Sequence, residues 1–287
     1  MLAYKIHKIP VSVSIYLVKM PANLLAVIPR IHSYFLSDPL LLKLPQDFNK
    51  RGTEEKKKNV FCFYLNIMKK LGFIICFCIS GILTVAQTKA PPFRKEIDAF
   101  KKQDSIQKPV LRNILLIGSS SFTKWTDVQD YFPEYPILNR GFGGSSLPDL
   151  IRYADEIIFP YHPKQVVIYC GENDIAASDT VTSQMVMQRV EQLFFLIRNK
   201  LPKVQVAFIS IKPSPSRWKF EPAIVETNRL IKKFLRKQSR TKFINVHDAM
   251  LNGDGSVMTD IFIGDNLHIN EKGYAIWQKV IKPFLKS

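Results

Sequence analysis

The chain predicts an α/β fold, a three-layer α/β/α sandwich around a five-stranded parallel sheet. Short runs of consecutive aliphatic residues recur, of which Ile114-Leu115-Leu116-Ile117 and Gln165-Val166-Val167-Ile168-Tyr169-Cys170 are the plainest. A strand apolar at every position is buried on both faces, as a parallel sheet covered by helices requires. Stretches with a helical period separate these runs from residue 113 onward, so that strand and helix alternate. Several strands also end in glycine-bearing turns, at the edge where open α/β sheets bind ligands.

Taken in order, the first strand covers 113–117 and stops at Gly118, followed by Ser119, Ser120 and Ser121. A tight turn with helix-capping serines has the same appearance, so these residues alone specify no chemistry. Residues 122–132 read as a helix with Trp125 and Val128 on one face, and 135–138 as a second strand leading into Asn139–Ser146. Residues 147–158 are amphipathic, with Leu147, Leu150, Ile151, Ala154, Ile157 and Ile158 at i, i+3, i+4 spacing. The third strand, 165–170, runs into Gly171-Glu172-Asn173-Asp174. A helix over 182–200 turns Val186, Val190, Leu193, Phe194 and Ile197 inward, and a fourth strand over 204–211 precedes the loop Lys212-Pro213-Ser214-Pro215-Ser216-Arg217-Trp218. A helix over 221–237, a fifth strand over 241–246 and a last helix from 271 to near 285 complete the pattern.

The formal net charge of +17 would suit a nucleic-acid or membrane-surface protein. Its distribution argues otherwise. Residues 1–86 hold 12 Lys/Arg against 4 Asp/Glu, and residues 87–287 hold 29 against 20. The later basic residues cluster at Lys232, Lys233, Arg236, Lys237 and Arg240, at the spacing of a solvated helix face. No nucleic-acid partner is expected.

Residues 1–67 mix short apolar runs with prolines and sustain no period. Met68-Lys69-Lys70, a run of about fifteen mostly apolar residues and the small residues Thr84 and Ala86 are the parts of a secretory signal peptide. The expectation is that Met68 is the natural start, that 1–67 is a non-native extension, and that 68–86 directs export to the periplasm or beyond. An uncleaved anchor over 71–86 is the alternative, although spanning a bilayer takes about 20 residues. Cys62, Cys76 and Cys78 precede the expected cleavage, leaving Cys170 alone and no internal disulfide. The polar, proline-bearing stretch 87–111 reads as a linker with one short helix near 95–102.

Chemistry gathers at the strand ends: Gly118-Ser119-Ser120, Gly141-Phe142-Gly143-Gly144, Gly171-Glu172-Asn173-Asp174, and Asp265-Asn266-Leu267-His268 before the last helix. A serine nucleophile needs a base, the base needs a carboxylate, and the developing oxyanion needs donors. From Asn113 onward the chain resembles the SGNH/GDSL hydrolases, whose four blocks carry Ser, Gly, Asn and His. The resemblance implies a flavodoxin-like sheet within a hydrolase domain over 112–287. It implies Ser120 as nucleophile, His268 as base and Asp265 as its orienting carboxylate. Ser120, Gly144 and Asn173 would form the oxyanion hole. Ser119 stands where the family's first block usually has aspartate.

Other residues have plainer expectations. Asp174 braces its loop, Gly141 and Gly143 serve backbone geometry, and His162 and His247 take surface roles. Arg217 and Trp218 either rim the site or pack on the sheet edge. The expected activity is hydrolysis of an acyl ester, acetyl among the possibilities, on a small molecule or a glycan. No cofactor is expected, and no metal, since no His/Cys group has ligand spacing. A non-catalytic carbohydrate-binding protein on the same scaffold is the alternative. A phosphate-binding protein is disfavoured, because neither of the usual glycine-rich nucleotide motifs occurs.

Overall fold

The computed structural model describes residues 90–286; the expectations for 1–67 and for the signal segment 68–86 lie outside them. Five parallel strands form one sheet: β1 Ile114–Gly118, β2 Ile137–Gly141, β3 Gln165–Tyr169, β4 Gln205–Ile209 and β5 Thr241–Ile244. Their order is β2-β1-β3-β4-β5. The chain therefore runs outward from β1 to β2 and restarts on the other side of β1 with β3. The turns that follow β1 and β3 flank the switch point, where the crevice of an open α/β sheet lies.

Alternate residues of the central strands feed two separate cores. Leu115, Ile117, Val166, Ile168, Val206 and Phe208 pack under α4 Leu147–Ile157, α6 Ser183–Lys200 and α7 Glu221–Leu235. Ile114, Leu116, Val167, Tyr169, Ala207 and Ile209 face the other way, towards α8 Glu271–Ile281. The expected sandwich with helices on both faces is what forms. Among the described residues no helix is long and apolar enough to cross a membrane. Cys170 is buried and free.

The single helix expected over 122–132 is two short ones, α2 Ser120–Thr123 and α3 Val128–Tyr131. Asn139 Nδ2 donates to Phe122 O at 2.6 Å, taking a carbonyl that a continuous helix would need. Trp125 between them turns inward and stacks on Tyr274, ring centroids 4.6 Å apart. β2 lies later than expected, since Ile137–Gly141 pair residue for residue with Ile114–Gly118; Arg140 within it is buried, its Nε donating to Tyr161 Oη at 2.9 Å. α8 stops at Ile281 rather than near 285, since Pro283 cannot continue the helical ladder, and a short 3-10 turn over Lys282–Phe284 follows.

The stretch expected as a linker is largely packed structure. It carries α1 Arg94–Ile106, longer than the short helix expected there. Ile97 is fully buried in the same core as α4, and Phe93 meets Phe142 edge-on with centroids 5.2 Å apart. Arg94 donates to Glu156 Oε1 at 3.0 Å, and Asp104 is paired with Arg140. The sequence hides this packing because only Ile97 and Phe100 of a largely polar helix turn to the core, too few for a clear apolar period. Ile97→Ala should therefore lower stability by about 2–4 kcal/mol in urea unfolding, whereas a residue in a true linker would change it by less than about 0.5 kcal/mol.

Candidate active site

β1 ends at Gly118 with φ +148°, and a Cβ there would lie 1.9 Å from Tyr169 O. Only glycine allows this approach. The Ser119 N–H then donates to Tyr169 O at 3.1 Å, which locks the serine turn to the end of β3. Of the three consecutive serines, Ser119 and Ser121 are buried while Ser120 is partly exposed at the start of α2. Ser119 Oγ accepts from Asn173 Nδ2 at 2.7 Å, and Ser121 O accepts from Tyr274 Oη at 2.8 Å.

The β2 turn reaches the same edge. Phe142 N–H donates to Gly118 O at 2.9 Å, and Ser145 Oγ donates to it at 3.1 Å. Gly144 has φ +81°, a backbone state that suits glycine. Neither the Ser120 nor the Gly144 N–H enters a turn or cap hydrogen bond among the described residues. Gly141 is needed for close packing, since a Cβ would meet Phe122 Cβ at 2.6 Å.

Asn173 lies in the first turn of α5 Glu172–Ala176. Its Nδ2 donates to Ser119 Oγ and, at 2.9 Å, to Ser145 O, while its Oδ1 accepts from Arg217 Nη2 at 3.0 Å. A carbonyl can only accept and a guanidinium can only donate, so the amide has one possible orientation. Asp174 is fully buried and braces the loop as expected. It accepts from Leu147 N–H at 2.9 Å and from Arg189 at 2.8 Å, and burial raises its pKa against those bonds.

Beneath Asn173 lies a buried ion pair that sequence reading missed. Lys212 Nζ donates to both oxygens of Glu172, at 2.9 and 2.8 Å, and both residues are buried. Tyr169 Oη at 2.9 Å and Ser214 Oγ at 3.1 Å complete the shell around the carboxylate. Burial works to raise the Glu172 pKa, but Lys212 and then Arg217 outweigh it and hold the carboxyl ionised; burial draws the Lys212 ammonium below the usual lysine range. A lysine after a strand carries no sequence signal of burial, and charged residues are rarely buried unless paired. Arg217 is thus turned inward against Glu172 and Asn173, while Trp218 beside it is exposed.

Asp265 and His268 form a compact unit. Asp265 Oδ1 accepts the N–H groups of Leu267 and His268, both at 2.9 Å, and Oδ2 meets His268 Nδ1 at 2.6 Å. Burial opposes the charged form, but the His268 ring and these two N–H groups hold the Asp265 carboxyl below the usual carboxylate range. The loop and helix around this unit make two further ties. Ser216 N–H and Oγ donate to Asn266 O at 3.1 and 2.9 Å, and Tyr274 of α8 reaches Ser121. No hydrogen bond joins Ser120 Oγ to His268 among the described residues.

Among the described residues no group of three or more His, Cys, Asp and Glu is placed to hold a metal. His162 is exposed as expected, but His247 is not at the surface. It is buried between Glu221, 2.6 Å from Nε2, and Asp248, 3.0 Å from Nδ1. Burial alone would lower its pKa, and the two carboxylates raise it instead. Its proton is therefore bound more tightly in the fold, so its stabilising contribution is whole below its unfolded value of about 6.5 and fades as pH rises through the folded value.

A profile of the GDSL-like lipase/acylhydrolase family matches residues 117–276. No curated protein matches the chain. Among solved structures, a Streptococcus pneumonia protein provisionally described as a platelet activating factor is similar at 21% identity, with TM-score 0.58 over 67% of this chain and 92% of its own. A GDSL-like lipase from Bacteroides thetaiotaomicron is similar at 18% identity, with TM-score 0.56 over 66% and 96%. An acetyl-xylooligosaccharide esterase from Geobacillus stearothermophilus is similar at 15% identity, with TM-score 0.50 over 63% and 98%. At these identities the likeness is one of fold.

The stability difference between wild type and His247→Asn, from urea unfolding, should be largest near pH 5 and shrink steadily above about pH 6.5. A difference that grows with pH would reverse the assigned charge state.

Proposed function

Since the chain belongs to the GDSL-like lipase/acylhydrolase family and is an esterase acting on ester bonds, we propose that Ser120 is its nucleophile, with His268 as base and Asp265 as the orienting carboxylate. The observation that supports this reading most is the contrast among the three serines: Ser119 is committed to Asn173, Ser121 is buried, and Ser120 alone is reachable from solvent. The Asp265 contact leaves His268 Nε2 as the nitrogen able to take a proton. Two contacts support a position of His268 near Ser120: Tyr274, on the helix that follows the histidine, donates to Ser121 O, and Ser216 of the β4 loop donates to Asn266 O in the histidine loop.

In this mechanism Ser120 Oγ attacks the acyl carbonyl as His268 accepts its proton. The oxyanion is held by the unused N–H groups of Ser120 and Gly144 and by Asn173 Nδ2. With the amide still held by Arg217, the N–H that rests on the neutral Ser119 oxygen is shared with the charged one, a bond about twice as strong. The leaving alcohol takes the proton from His268, and water activated by the same ring then hydrolyses the acyl-enzyme. A hydroxyl at 119 still supplies the acceptor that holds the resting amide, although it lacks the charge of the usual aspartate.

Arg217 is assigned the task of holding the amide in its productive orientation. The Glu172–Lys212 pair fixes Arg217 in turn. The substrate is taken to be a small acyl ester or an acylated glycan. The fold likeness to an acetyl-xylooligosaccharide esterase motivates an acetyl group, and the export signal expected over 68–86 motivates a substrate outside the cytoplasm.

Ser120→Ala should lower kcat on a small activated acetyl ester by at least about four orders of magnitude with the unfolding midpoint unchanged, and wild-type rates in that variant would remove Ser120 from the mechanism. Arg217→Met should lower kcat about tenfold at nearly constant KM, with Arg217→Lys recovering part of it. A change confined to KM would make Arg217 a substrate-binding residue instead.

A further inference from the structure

The opposite edge of the sheet, where the strands begin, carries a feature that ester hydrolysis does not use. A cavity of about 560 Å³ there is lined by Arg112, Lys164, Lys200, Lys203, Arg240 and Lys286, and by no Asp or Glu among the described residues. The ion pairs among the described residues involve none of the six. Like charges gathered around one concavity repel one another, and low-dielectric walls focus their field.

The cations stand on fixed backbone rather than on loose loops. Lys164 N–H donates to Asn113 O at 3.0 Å, Val206 N–H to Arg240 O at 3.0 Å, and Lys286 N–H to Gln165 Oε1 at 2.8 Å. Arg198 staples the floor, with Nη1 donating to Pro202 O and Val204 O and Nη2 to Ser239 O, each at 2.9 Å. Burial, and then the nearby Arg240 charge, weaken the hold of Arg198 on its own proton. Three of the cavity's residues, Arg112, His162 and Arg240, have φ values of 58°, 43° and 57°. Left-handed backbone is uncommon for arginine, less so for histidine, and such outliers concentrate where a function holds them.

We propose that this cavity binds a polyvalent phosphate-bearing anion, at a site separate from the one that cleaves esters. Six cations exceed what a single monoanion could neutralise, and the volume falls within the range of small-molecule sites. The helix-face reading of the basic residues changes accordingly. Arg240 leaves the α7 face and joins cations drawn from the starts of several strands, which sequence spacing could not bring together.

The test is calorimetric titration of the full chain with inorganic tripolyphosphate at low ionic strength and again at about 0.15 M salt. Wild type should bind saturably and more weakly as salt rises. Lys200→Glu/Lys203→Glu/Arg240→Glu should lose about tenfold or more, while Lys233→Glu/Lys237→Glu/Lys279→Glu, matched in charge but away from the cavity, should stay within about twofold. Lys203→Gln alone should show a smaller loss in the same direction, which keeps the test decisive if the triple reversal does not fold. Acetyl-ester hydrolysis should be unaffected by the cavity substitutions. A parallel arm sediments the protein with phosphatidylcholine vesicles containing phosphatidylglycerol. Capture that tripolyphosphate competes away assigns a lipid headgroup, and solution binding without capture assigns a free phosphate. No saturable binding by wild type, or equal losses in the cavity and control variants, would overturn the proposal.

Discussion

The approach of Gly118 to Tyr169 O is the constraint on which the rest of the site depends. With no room for a Cβ, the end of β1 lies directly against the end of β3, and the serine turn is pinned to the turn that carries Asn173. The β2 turn is then fixed by two donors to Gly118 O, from Phe142 N–H and Ser145 Oγ. One carbonyl and one missing side chain thereby bring three turns together at the switch point of the sheet. A bulkier residue at 118 would separate them before it altered any catalytic group.

Electrostatics completes what the backbone begins. The Glu172–Lys212 pair lies where an unpaired charge would be very costly, so each residue requires the other and both require Tyr169 and Ser214. A pair of this kind contributes definition more than stability. It fixes a positive group, Arg217, beside the oxygen of Asn173, and the amide hydrogens consequently face the serine turn and the β2 turn. The stiffness of the proposed oxyanion donor thus originates in a lysine that never meets the substrate.

Much of this was legible in the sequence, for identifiable reasons. Buried strands announce themselves by unbroken aliphatic runs, and glycine turns after them mark the binding edge, so the sheet and all four motif blocks could be found along the chain. α1 was hidden because its packing rests on Ile97, Phe100 and ion pairs with distant partners, which leave little local period. The break between α2 and α3 was hidden because it depends on Asn139, seventeen residues downstream of the carbonyl it takes. His247, Lys212 and the inward turn of Arg217 were illegible for the same reason. Their surroundings come from remote segments, and a titratable residue in a linear sequence looks alike whether it is solvated or enclosed.

The central claim is that one serine of three adjacent ones is activated, by an imidazole almost 150 residues away along the chain. Tandem mass spectrometry after reaction with a fluorophosphonate tests it most directly, since the reagent modifies only an activated hydroxyl and fragmentation separates the three positions. The account predicts a single adduct on Ser120 that disappears in His268→Ala. An adduct on Ser119 or Ser121, or undiminished labelling without the histidine, would contradict it.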